Sequence, residues 1–379
     1  MGLIKYFQSV IRKKPNIIII IMDGTRKDIT DILPFYAELK KESVFFQKMI
    51  TYAPYTFASL HSTFSGMYGY MNGVNGYYKS YSFDKENCFT IAQYLKEHGY
   101  RTECDSLSKD AAPSQGFDKF MVHDEFKDDL LIRHSEILQQ IKKFGHFFLV
   151  LHYTNIHTKL VTNVAKKYTD FDKEYFDNRE NNFSEYLKWA EEGTVYLKGI
   201  IAKLKELGLY DKSVIFIFSD HGSSVGDRVG EKMYGSYLYD YTIRCFLYMI
   251  GKNFPKNIEI KNLVRSIDIM PTILDILIIK EKPNYKKLQG KSLLSIIKNP
   301  KEERIAYSET GGIGGPTPSP EVHNIYGVRT NTWKLIYNKT NNKRELYDLI
   351  KDPLEENNLA GKNFPIEEEL WSEMQKYTK

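Results

Sequence analysis

The chain has 379 residues, a net charge of only +5 and an ordinary globular mix of apolar and charged side chains. Charges of both signs are interspersed, which argues against nucleic-acid binding by bulk electrostatics. Three widely spaced cysteines, Cys88, Cys104 and Cys245, exclude a disulfide framework or zinc cluster and fit a reducing, cytoplasmic location.

The opening, "MGLIKYFQSVIRKKPN", lacks the apolar core and cleavage site of a signal peptide. Leu3, Ile4, Phe7 and Ile11 would share one face of an amphipathic helix, which either packs on the protein or makes weak membrane contact. Next comes "NIIIIIMD" (16–23), far too short to span a bilayer, so no transmembrane segment is expected. Its continuous apolar character predicts a strand covered on both faces. The runs "HFFLVLHY" (146–153) and "VIFIFSD" (214–220) read the same way. Between them, "PFYAELKKES", "FTIAQYLKEHGY" and "EYLKWAEEGTVYLKGIIAKLKELGL" carry apolar residues at helical spacing, the last stopping at Gly208. This alternation predicts an α/β fold over residues 1–299, a doubly wound, mostly parallel sheet flanked by helices. Beyond residue 300 the pattern shortens. "ERIAYSET", "NIYGVRTNTWKLIYN" and "RELYDL" predict a small antiparallel sheet, and "PIEEELWSEMQKY" a terminal helix, making a second unit over 300–379. The Gly- and Pro-rich link 310–321 is either a flap near the site or a plain connector.

In open α/β sheets, ligands bind beyond the carboxyl ends of the strands. Here those ends carry Asp23, then His152 and His157, then Asp220-His221-Gly222. Asp23, Asp220 and His221 would offer a divalent metal two carboxylates and an imidazole, a set suited to Mn²⁺ or Zn²⁺ first and to Mg²⁺ or Ca²⁺ after them. The stretch "YAPYTFASLHSTFSG" (52–66) has seven hydroxyl side chains. Thr56 stands where a helix begins, and helix N-termini favour anions. Threonine is also a common N-cap, so this residue is either a cap or a metal-activated nucleophile.

These segments resemble the sulfatase branch of the alkaline phosphatase superfamily. "PNIIIIIMDGTRKD" is similar to its opening metal strand, "TFASLHSTFSG" to its nucleophile helix and "FSDHGSSVGD" to its second metal segment. "YLYDYTIRCFLYMI", "SIDIMPTILDIL", "LQGKSLL" and "ELYDLIKDPLEENNLA" follow in the family's order. The resemblance implies metal ligands at Asp23, Asp220 and His221, with Thr56 as nucleophile and further ligand. It puts His157 where a histidine contacts the transferred group or protonates the leaving oxygen. His152 would line the pocket or orient a neighbour.

The departures matter. Formylglycine-bearing sulfatases carry Cys or Ser at the nucleophile, then Pro and Arg; here the positions are Thr56, Ala58 and Leu60, so no formylglycine is expected. A basic residue often precedes Gly235, but Tyr234 stands here. Lys232 either replaces it or leaves the role vacant. Lys109 is either a substrate cation or a solvated surface lysine. With no second hydroxyl at position 56 to expel sulfate, the expected substrates are phosphate or phosphonate esters, cleaved or transferred through Thr56 around one metal. The alcohol would be a small molecule, a glycan or a lipid headgroup. The alternatives are a sulfuric ester hydrolase and a non-catalytic binding protein on the same fold.

Overall fold

The computed structural model describes residues 14–311 and 321–378. The amphipathic segment at the start, and most of the 310–321 link, lie outside the described residues. An eight-stranded sheet is built from β1 (Asn16–Met22), β2 (Val44–Ile50), β3 (Arg101–Ser106), β4 (Lys119–Val122), β5 (Phe147–Tyr153), β6 (Ser213–Phe218), β7 (Arg244–Gly251) and β8 (Ile258–Arg265). Their order is β4-β3-β5-β1-β6-β7-β2-β8. Only β7 runs antiparallel to its neighbours, so the sheet is mostly parallel, as the apolar runs predict.

β1 is buried along its whole length because each face meets a different helical layer. Ile17, Ile19 and Ile21 pack with Leu60, Phe64, Ile91 and Ile273. Ile18, Ile20 and Met22 pack with Tyr36, Leu138, Leu197 and Ile200 on the other side. Successive strand side chains point to opposite faces, so an unbroken isoleucine run serves both cores. Register does the rest: Ile21 sits beside His152 of β5 and Phe218 of β6. The carboxyl ends of three parallel strands are thereby level, and the residues just beyond them are neighbours.

A second, antiparallel sheet has the order β12-β11-β10-β9, from β9 (Ala306–Thr310), β10 (Ile325–Arg329), β11 (Trp333–Asn338) and β12 (Lys343–Asp348). The helix Pro365–Met374 closes the chain against it. Val328, Leu335, Leu346, Leu370 and Met374 form one apolar cluster with Tyr52, Tyr55 and Ala58. No helix among the described residues is long and apolar enough to cross a membrane.

Candidate active site

Asp23 follows β1 directly, and its backbone N–H donates to Tyr153 O at 3.0 Å, which holds the turn against β5. Gly24 then adopts φ +65°, and a Cβ at this position would lie 3.0 Å from Ser223 Oγ. Glycine alone meets both demands without strain. The turn brings the Gly24 N–H to Asp220 Oδ1 at 3.3 Å, and the same oxygen accepts from the His221 N–H at 2.9 Å.

His221 donates from Nδ1 to Gly222 O at 2.8 Å, so its Nε2 carries the lone pair. That nitrogen lies 3.6 Å from Asp23 Oδ1 and 3.7 Å from Asp220 Oδ2. Both of these oxygens are buried and have no hydrogen-bond partner among the described residues. Unpaired buried carboxylate oxygens are costly. Two of them converging with an imidazole lone pair fit a divalent cation.

The helix Thr56–Ser65 begins after Tyr55, which is extended and caps nothing with its side chain. Thr56 is therefore the first helical residue rather than the cap. Its hydroxyl lies 3.3 Å from Asp23 Oδ2 and 3.3 Å from His221 Nε2. All but one of the other hydroxyls of the stretch are spent on structure. Ser59 donates to Asp220 O at 2.8 Å, Thr63 to Ser59 O and Ser65 to His61 O. Tyr52 and Tyr55 reach back to Glu309 and His323. Ser62 Oγ is buried and unpaired.

His152 is fully buried. Its Nε2–H donates to Asp23 Oδ2 at 2.9 Å, and the Ser106 hydroxyl bonds the other ring nitrogen at 2.9 Å. It holds Asp23, and turns that carboxylate's second oxygen toward His221. Burial alone would raise Asp23, but the His152 hydrogen bond and the imidazoles around it hold it well below the usual carboxylate range. Burial pushes Asp220 up, and the nearby Asp23 charge adds to this. Two like charges this close set their carboxyls apart, the electrostatic stress that a cation relieves.

His157 sits on the short helix Asn155–Leu160 just after β5. Its Nδ1 is 3.0 Å from the Tyr234 hydroxyl and its Nε2 is 3.7 Å from Glu125 Oε2. Lys232 corrects the expectation of a substrate cation. Its ammonium bonds Tyr168 O at 2.6 Å and Ala165 O at 3.5 Å, closing the end of a helical turn. Lys109 is exposed, three residues beyond β3.

Sequence reasoning missed Ser106, Glu125 and Tyr234 as members of this neighbourhood. It noted Tyr234 only as a missing basic residue. It also saw no second histidine–carboxylate set, yet Asp105, His123 and His134 converge within 4.8 Å. Asp105 Oδ2 accepts from His123 Nδ1 at 3.1 Å and His134 Nε2 at 3.0 Å, while Arg133 bonds Oδ1 at 2.8 Å. Thr154 and Tyr196 bond the remaining ring nitrogens at 3.1 and 2.6 Å. The set is closed upon itself and backs Ser106.

A model of the sulfatase family matches residues 15–279, and one described as N-sulphoglucosamine sulphohydrolase, C-terminal, matches residues 233–379. Arylsulfatase K of Mus musculus is 28% identical over 211 residues, which is 50% of this chain and 36% of that protein. The matched stretch is thus about a third of the length of such curated relatives. The structure of BT4656 in complex with its substrate D-glucosamine-2-N,6-O-disulfate aligns with a TM-score of 0.74 at 16% identity, covering 96% of this chain and 97% of that one. The phosphonate monoester hydrolase of Agrobacterium radiobacter aligns with a TM-score of 0.70 at 14% identity, covering 96% and 95%. At such identities the structural likeness shows the fold.

These comparisons overturn the phosphoester preference, because the curated relatives are arylsulfatases. That preference rested on the lone hydroxyl of Thr56. A lone hydroxyl restricts how a sulfated intermediate resolves, but it does not choose which ester enters the site.

Proposed function

The chain belongs to the sulfatase family, and on that footing we propose that it hydrolyses sulfate esters of a small-molecule or glycan alcohol, with Thr56 unmodified. The observation that carries this reading is the Thr56 hydroxyl at 3.3 Å from both Asp23 and His221, in a chain whose curated relatives are arylsulfatases. Asp23, Asp220 and His221 would hold one divalent cation, with Thr56 beside them; when bound, it supplies positive charge that lowers the pKa of a nearby hydroxyl. Mn²⁺ and Zn²⁺ suit two carboxylates and an imidazole best.

The free N–H groups of the helix's first turn favour the sulfate oxygens. Thr56 Oγ1 attacks sulfur, and the sulfur–oxygen bond to the alcohol breaks. Water then attacks sulfur in a second displacement and frees Thr56, since threonine lacks the second hydroxyl through which a formylglycine hydrate expels sulfate. The three thiols, all buried and unpaired, support a reducing compartment.

The test is turnover of p-nitrophenyl sulfate, p-nitrophenyl phosphate and sulfated monosaccharides by the purified protein, supplied with each metal in turn. Sulfate esters are expected to be the better substrates. No sulfate release from any of them would refute the reading.

A further inference from the structure

One ring nitrogen of His157 is hydrogen-bonded and the other faces a carboxylate. Nδ1 meets the Tyr234 hydroxyl at 3.0 Å, and Nε2 faces Glu125 Oε2 at 3.7 Å. Glu125 is itself held by the Thr158 hydroxyl, 2.8 Å from the same oxygen. Carboxylate, imidazole and phenol therefore stand in line, drawn from the segment after β4, the helix after β5 and the loop between β6 and β7.

The line ends at the site. The Tyr234 ring lies 4.6 Å from the His221 ring, centroid to centroid, and His221 Nε2 is 3.3 Å from Thr56 Oγ1. The basic side chains of this loop, and the arginine that bonds its Ser223 carbonyl, are already committed: Arg228 bonds the Leu354 and Glu355 carbonyls. Lys232 bonds the Tyr168 and Ala165 carbonyls, and Arg26 pairs with Asp28 and Asp227, at 2.8 Å each. The Tyr234 side chain thus neighbours both His157 and His221, which itself lies beside Thr56.

We infer that Tyr234, rather than His157, contacts the bridging oxygen of the sulfate ester and donates a hydrogen bond to it, with His157 and Glu125 as the residues that position the phenol. The inference rests on the sulfate-ester reading. In the arrangement we infer, His157 donates its Nδ1 proton to the phenol oxygen, with Nε2 facing Glu125. The phenol's own proton is then turned away from His157 and onto the substrate. As the sulfur–oxygen bond breaks, its electron pair goes to the bridging oxygen, and the phenol O–H bonds the charge that develops there. An alkyl leaving group needs that donor, whereas p-nitrophenolate spreads its charge over the ring and needs it little.

The experiment compares p-nitrophenyl sulfate with an alkyl sulfate, glucose 6-sulfate, on metal-supplemented wild type, Tyr234→Phe, His157→Ala, the double variant and Glu125→Gln. Melting temperatures confirm folding. Tyr234→Phe is expected to lower kcat/KM for glucose 6-sulfate by about 10²-fold and for p-nitrophenyl sulfate by less than about tenfold. Because His157 acts through Tyr234, the double variant should be no slower than Tyr234→Phe. Glu125→Gln should show the same leaving-group bias to a smaller degree. Equal losses on both esters, or losses that multiply in the double variant, would overturn the inference and leave the sulfatase reading standing. If the wild type turns over neither ester, the sulfatase reading fails, and glucose 6-sulfate becomes a calorimetric ligand. Tenfold weaker binding by Tyr234→Phe would then support the contact, and unchanged binding would overturn it.

Discussion

His152 holds one oxygen of Asp23 and leaves the other bare: Nε2 lies 2.9 Å from Oδ2, while Oδ1 is buried without a partner. An imidazole that fixes a carboxylate's rotation decides where its remaining lone pairs point. Should the site take the proposed cation, His152 would tune its affinity even though its own nitrogens are occupied. His152→Ala should weaken binding of Mn²⁺ or Zn²⁺ by about 10–100-fold. Asp220→Asn, which removes a charged donor outright, should abolish stoichiometric binding. Metal content after dialysis against graded chelator measures both.

Thr56→Ala should remove nearly all turnover while hardly changing stability. The hydroxyl makes no capping bond, so the usual loss of about 0.5–2 kcal/mol for a deleted cap does not apply. A melting temperature within a few degrees of wild type is expected. Peptide mass spectra should show ordinary threonine at position 56, and an active alanine variant would remove Thr56 from the mechanism.

Glu231 gives the fold a pH dependence of its own. Its buried carboxylate accepts the Ser236 and Tyr237 N–H groups at 2.7 and 2.9 Å, and burial pushes its pKa from 4.5 up to about 7. A carboxyl with a raised folded pKa makes the folded state bind more protons than the unfolded one. Stability from this group is therefore full below pH 4.5 and is lost as pH rises to about 7, with a span on the order of 3 kcal/mol. Glu231→Gln should flatten that slope. Denaturant midpoints at pH 5 and pH 8 provide the check, and an unchanged difference between them would count against it.

Lys232→Met should leave KM for small sulfate esters within about twofold, because the ammonium bonds carbonyls and touches no group of the site. The expected cost is in stability, about 0.5–1.5 kcal/mol per lost hydrogen bond. A tenfold rise in KM would restore Lys232 as a substrate contact.

The strands and the polar residues at their carboxyl ends were legible because one physical rule covers them. A strand buried on both faces is apolar along its length, so the polar residues that follow it mark its end; Asp23 follows β1 directly and Asp220 follows β6 after Ser219. The roles of the hydroxyls in 52–66 were not legible. Seven side chains of similar chemistry differ only in what the rest of the chain places opposite them. His157 was singled out, but its partners were not. Glu125 and Tyr234 are 32 and 77 residues away in sequence, and nothing in local spacing joins them. Lys232 misled for the same reason: a lysine near the site in sequence aims its ammonium wherever uncompensated carbonyls lie. The set at Asp105, His123 and His134 escaped because each member stands on a different element.

One side of the helix Thr56–Ser65 is furnished by parts of the chain that come much later in sequence. Tyr55 and Ala58, on either side of Thr56, share a cluster with Leu335, Leu346 and Met374. During synthesis this helix is made long before that surface. Leu60, Phe64 and the Ser59 hydroxyl seat the helix on the large sheet, and the late strands complete its other side. A chain cut before those strands would keep every residue of the site while losing one wall of the helix that presents Thr56.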